Sequence, residues 1–164
     1  MSASMPPLPP DPARYYRLGA PYAGWWSRVL ASILDGLIPF IPTFALGAVL
    51  HATGLIDRGS ENLWAVLIFA SIVTWHPLYF GLTMSRPGPR NGQTWAKQWL
   101  RIRVVRGDRR PLGGWYSVLR EVLVKWALLG ACAIVSLIDS VWPLWDDRKQ
   151  ALHDKIVSTF VVRA

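Results

Sequence analysis

Residues 29–50, VLASILDGLIPFIPTFALGAVL, decide the fold. These 22 residues hold one charge, Asp35. As a helix they cover roughly 30 Å, the thickness of a bilayer's hydrocarbon core. A second stretch, LWAVLIFASIVTWHPLYFGLTM at 63–84, has the same length and no Asp, Glu, Lys or Arg. A chain of 164 residues can hardly bury two such helices on every side in a globular core. Both therefore read as membrane-spanning helices. A third apolar segment runs from Trp126 to Trp145, interrupted by Asp139 and Pro143, and follows an amphipathic lead with Arg120, Glu121 and Lys125. It either spans the bilayer or enters and turns back near Gly130.

Composition agrees. The chain is 52% apolar and 17% charged, with ten tryptophans. Soluble domains average roughly 25% charged. The single cysteine, Cys132, excludes an internal disulfide framework and any multi-cysteine metal site, and its apolar setting reads as an inert buried thiol. The net charge of +8 fits cytoplasmic loops and anionic lipid in a membrane protein, rather than nucleic acid. The lead at 1–21 has no apolar signal region. Its prolines between Pro6 and Pro12 predict an extended, disordered tail.

Charge asymmetry sets the orientation. The 85–116 loop carries Arg86, Arg90, Lys97, Arg101, Arg103, Arg106, Arg109 and Arg110 against Asp108. The 51–62 loop carries only Arg58, against Asp57 and Glu61. The basic loop and the N-terminus are thus expected in the cytoplasm and the short loop outside. Trp95 and Trp99 share one face of a predicted short helix over 93–100, with tryptophan in the headgroups, and Lys97 and Arg101 share another. Two strand-like runs follow, at 102–105 and 159–162. If they pair, the C-terminus joins the loop on the cytoplasmic side. The expected fold is an all-α membrane protein with two spanning helices, a third spanning or re-entrant segment and a small cytoplasmic β-strand pair. Its helices lie at about 25–50, 63–84 and 117–142, within a membrane domain at 22–164.

Asp35 is the most informative residue. A carboxylate at mid-depth costs about 2.5–3.5 kcal/mol, so it must face protein or water and hold a partner. Trp25, Arg28, Ser32, Asp35 and Pro39 fall on one helical stripe. Arg28 lies two turns from Asp35, roughly 10.5 Å along the axis. Its side chain leans away, so a bridge through Ser32, water or another helix is favoured over a direct ion pair. Asp35 serves either helix packing or the movement of a proton or ion. His76, next to Pro77 in the second helix, reads as a bundle histidine or a proton relay. His153-Asp154 beside Asp146-Asp147 lacks a firm ligand spacing, so no metal or cofactor is expected. No phosphate loop, G-x-S-x-G or H-E-x-x-H is present, which argues against an enzyme.

The run from Ala23 to Asp35, AGWWSRVLASILD, resembles the first helix of the RDD family of bacterial membrane proteins. Gly92-Gln93-Thr94-Trp95-Ala96-Lys97, then Arg101 to Val105, is similar to a second stretch of that family, and Arg148 to Asp154 to its tail. The resemblance covers nearly the whole chain, with three motifs in order. It implies a bacterial cytoplasmic-membrane address and places Arg28 and Asp35 at the first two name-giving positions. Asp154 takes the third, with Asp139 the alternative. Ala96 and Ser158 stand where the family often has glycine. The resemblance also implies a role in moving ions or small solutes. Arg28, Asp35, Asp154, Ser32 and His76 are the pathway candidates, with Gln93, Thr94, Lys97, Arg101, Gln150 and His153 as a cytoplasmic motif around Asp154. Anionic lipid at the basic loop and further copies of the chain are the expected partners. The competing reading is a membrane scaffold whose Arg/Asp network locks the helices.

Overall fold

The computed structural model describes residues 21–55, 61–129 and 132–164. The proline-rich lead up to residue 20, the 56–60 part of the short loop and the turn expected near Gly130 lie outside the described residues.

The first span is α1 (Trp25–Leu37), a 3-10 turn (Ile38–Phe40) and α2 (Ile41–Ala52). Pro39 and Pro42 explain the turn. Each lacks a backbone donor, so the α-helical ladder is interrupted there, and each sits in the first turn of the element it opens. The second span is α3 (Glu61–Met84), unbroken across Pro77. The helices Trp25–Ala52 and Asn62–Met84 are long and apolar enough to cross a membrane, yet only 22% of an apolar 18-residue window in each is buried. Leu30, Phe44, Phe69 and Leu82 point outward. Apart from Tyr79, Phe80 and Met84 toward the end of α3, the buried positions are small or polar, among them Ala31, Asp35, Thr43, Ser71, His76 and Thr83. Apolar surface outside and polar groups inside is the arrangement that hydrocarbon solvent selects. Gly47 lets α2 approach α3, since a Cβ there would meet the Trp64 ring at 2.2 Å.

Past α3, a turn at Gly88–Arg90 leads to α4 (Trp95–Trp99) and β1 (Ile102–Arg106). Gly92 adopts φ +74, and a Cβ on it would lie 2.0 Å from the Val104 carbonyl oxygen. Then come α5 (Gly114–Val118), a π-helical stretch (Leu119–Leu129), α6 (Ala133–Val141) with a 3-10 end (Trp142–Leu144), α7 (Leu152–Ile156) and β2 (Thr159–Arg163). The single helix expected over 117–142 is therefore in two pieces. Cys132 is extended at the start of α6, at φ −124 and ψ 121, which ends any continuous helix there. Cys132 is also exposed, contrary to the buried thiol expected from its neighbours.

The expected strand pair forms. β1 and β2 run antiparallel, with Val104 opposite Val161. The entry to α1 is stitched to the same strand, as the Ala23 amide donates to the Val161 carbonyl at 3.0 Å and the Arg163 amide to Pro21 at 3.1 Å. The end of α3 joins them through the Gly92 amide and the Met84 carbonyl, 2.8 Å apart. Phe80, Met84, Ile102, Val104, Leu112 and Val161 form the apolar core of this end. The start of the first span, the end of the second and both strands thus meet at one end of the molecule.

Candidate functional site

At that end the chain buries a connected set of charges. Asp35, 2% exposed, holds three donors. Its Oδ1 accepts from the Tyr79 hydroxyl of α3 at 2.7 Å. Its Oδ2 accepts from the Thr94 hydroxyl at 2.9 Å and from Lys97 Nζ at 2.6 Å. Thr94 is the N-cap of α4 and also accepts from the Lys97 amide at 3.1 Å. Capping thus starts a helix whose first turn aims Lys97 at Asp35.

The ladder continues through the π-helical stretch. Lys97 Nζ lies 3.2 Å from Glu121 Oε1, and Glu121 also pairs with its neighbour Arg120. Arg120 donates to Asp154 Oδ1 at 2.5 Å and to the Thr159 hydroxyl at 3.1 Å. Asp154 Oδ2 accepts from Arg28 Nη1 at 3.0 Å. Arg28 spends its other donors on the carbonyls of Ala23 and Val161. Lys125 Nζ donates to the Ser32 hydroxyl at 2.9 Å and lies 3.7 Å from Glu121. A side branch ends the chain. Arg120 Nη2 lies 3.1 Å from His153 Nε2, and His153 Nδ1 lies 2.8 Å from Asp139 Oδ2. A guanidinium only donates, so His153 Nε2 accepts and the ring proton sits on Nδ1, facing Asp139.

Arg28, Lys97, Arg120 and Lys125 balance Asp35, Glu121, Asp139 and Asp154. Burying one ion costs several kcal/mol, and a neutral, hydrogen-bonded set is how a low-dielectric interior carries such groups. Burial alone would push the Asp154 carboxyl up. Arg120 and Arg28 outweigh that and hold it well below the usual carboxylate range. Burial disfavours the Lys97 cation, yet Asp35 and Glu121 raise its pKa above the ordinary lysine value. Both groups are charged at neutral pH.

Arg28 reaches Asp154, while Asp35 is bridged to that pair through Lys97, Glu121 and Arg120. The bridge comes from other helices, as one of the sequence alternatives held, whereas Ser32 serves Lys125. Of the residues grouped around Asp154, His153 lies against it, Nε2 being 3.6 Å from Oδ1, while its hydrogen bonds come from Arg28, Arg120 and the Thr159 hydroxyl at 3.0 Å. Lys97 and Arg101 do not share a helix face. Arg101 lies past the end of α4 at φ +53 and is exposed. Trp95 and Trp99 do face outward, beside buried Ala96 and Lys97. Gln93 and Gln150 brace the strands by donating to the carbonyls of Ile102 and Thr159, at 3.0 and 2.9 Å. His76 has a separate setting, with Nδ1 3.3 Å from the Ser71 carbonyl and its ring edge-on to Phe40. Sequence reasoning missed Tyr79, Arg120, Glu121 and Lys125 as site residues. For Arg120, Glu121 and Lys125 the available signal was their placement among Val118, Leu119, Val122 and Val124.

A cavity of about 280 Å³ opens against this network. Trp25, Val29 and Ile33 of α1 form one wall, and Leu137 and Val141 of α6 the other. Arg120, Glu121, Lys125 and Asp139 form its polar floor. Trp25 ties the walls together by donating to the Ser140 carbonyl at 2.7 Å.

Two apolar helices that turn their polar groups inward onto a charge-balanced cluster define a membrane protein. The sequence profile of the RDD family matches residues 22–158, most of the chain, so the protein belongs to the RDD family. No curated protein and no solved structure matches it.

Proposed function

We propose that this protein sits in the bacterial cytoplasmic membrane as a multi-pass protein and aids the movement of small ions or solutes. The observation that carries the reading is the cavity floored by the ionic network, at the end where both spans meet the strand pair. The basic 85–116 loop and the N-terminus face the cytoplasm under the positive-inside rule. β2 lies beside β1, so the segment between them begins and ends at one place, and we read it as re-entrant. Exposed Trp99 and Trp115 on the basic side suit a headgroup layer, and anionic lipid is the partner we assign to that loop. Two spans enclose little, so a pathway needs several copies of the chain. We infer no catalytic role.

The network's saturation favours a second reading, a scaffold. Asp35, Glu121 and Asp154 each hold more than one partner, as a structural lock does. Ion flux into proteoliposomes, with and without a proton gradient, separates the two. Asp35→Asn in a folded protein abolishes flux under the transport reading. Under the scaffold reading the pure protein carries no flux, and the substitution lowers assembly or abundance.

A further inference from the structure

We propose that the cavity between α1 and α6 binds an anionic amphiphile, a carboxylate or phosphate head carrying one short apolar chain. The inference names the ligand class for the cavity and rests on reading that cavity as the solute site. Four facts carry it. First, the lining carries more cations than anions: Arg28, Lys97, Arg120 and Lys125 against Glu121 and Asp139, with Asp35 and Asp154 not among the lining residues. Second, Lys125 keeps donor capacity. Its ammonium has three donors, one of which goes to Ser32, while Glu121 stands off at 3.7 Å. An incoming oxyanion completes that ammonium without breaking the Lys97–Asp35 pair. Third, the walls are apolar. Fourth, the cavity opens beside apolar surface, since its wall residues Ile33 and Leu137 are 53% and 64% exposed on helices with outward apolar faces. A cation would meet four positive side chains against two carboxylates, and a bare hydrophilic anion would leave the walls unused. The cavity is near the small end of the roughly 300–1,000 Å³ range of ligand sites, which sets a short chain.

The test uses the full chain in phosphatidylcholine nanodiscs, titrated calorimetrically with octanoate, octyl phosphate, acetate and octyltrimethylammonium against empty discs. Octanoate and octyl phosphate should bind saturably, acetate at least about tenfold more weakly, and the cation not at all. Lys125→Gln should weaken octanoate binding by at least about tenfold, the worth of one charge-assisted hydrogen bond. Ile33→Trp, which fills the mouth without touching the network, should abolish it while the circular dichroism stays unchanged. Native mass spectrometry of protein extracted from cells tells the source. A retained single-chain anionic lipid displaced by octanoate identifies a membrane source, and a retained water-soluble carboxylate or phosphate displaced by it identifies a soluble acid; either origin supports the shared chemistry. Equal binding of the cation, or wild-type binding by the folded Ile33→Trp variant, overturns the proposal. Saturable octanoate binding without flux would leave it standing and remove the transport reading, whereas flux without anion preference would do the opposite.

Discussion

Replacing Lys97 by methionine tests the energetics of the buried network. The ammonium sits 2.6 Å from Asp35 and 3.2 Å from Glu121, and both carboxylates are buried. Glu121 would keep Arg120 and Lys125. Asp35 would keep only the Tyr79 and Thr94 hydroxyls, so its charge would be uncompensated. Removing one partner of a buried ion pair costs about 3–5 kcal/mol, and the desolvated partner left behind supplies most of it. Asp35→Asn alone keeps hydrogen bonding and leaves Lys97 with Glu121, so about 1–3 kcal/mol is expected. In the double variant no charge is stranded at Asp35, and its loss should fall short of the sum of the singles by at least about 1.5 kcal/mol. Reversible unfolding in mixed detergent micelles across the four proteins of the cycle reads this coupling. Strictly additive losses would refute the pairing, because additivity is what two independent sites give.

Three further outcomes follow from the same geometry. Ser158 adopts φ +48, and Ser158→Gly should stabilise the protein by about 0.5–1 kcal/mol in the same unfolding assay, since glycine removes the left-handed penalty and returns part of it as chain entropy. Gly92→Ala should destabilise by more than about 2 kcal/mol, because the new methyl would lie 2.0 Å from the Val104 oxygen at φ +74; an unshifted unfolding midpoint would contradict that backbone. The Asp154 carboxyl is held below its unfolded value of about 3.9, so its stabilisation is complete above that pH and is lost as pH falls toward the folded value. Stability measured from pH 7 to pH 3 should therefore drop on the acid side below about pH 4, and Asp154→Asn should flatten that drop.

The spans were legible because hydrocarbon imposes length and composition on any helix that crosses it. Asp35 could be read as a partnered group from its cost alone, and Lys97 was already in the cytoplasmic motif. That the two meet could not be read. Their contact depends on Thr94 capping α4 beside α1, a tertiary placement with no sequence period. The strands were visible as β-branched runs, and their antiparallel pairing brings the two ends of the segment between them together. The amphipathic lead misled. Arg120, Glu121 and Lys125 look like a solvated face by helical spacing. Wound as a π-helix, the segment presents them instead to Asp154, Lys97 and Ser32. Cys132 misled in the opposite sense, since an extended residue between two helical pieces reaches the surface despite apolar neighbours.

A nitrogen–carbon dipolar-coupling experiment on the protein in lipid bilayers reports most directly on whether the buried Asp35 carboxylate is accompanied. With ¹⁵N at Lys97 Nζ and ¹³C at the Asp35 carboxyl, contact within about 4 Å should give strong dephasing. No dephasing in a folded, bilayer-embedded sample would mean that Asp35 lacks the companion on which the whole network depends.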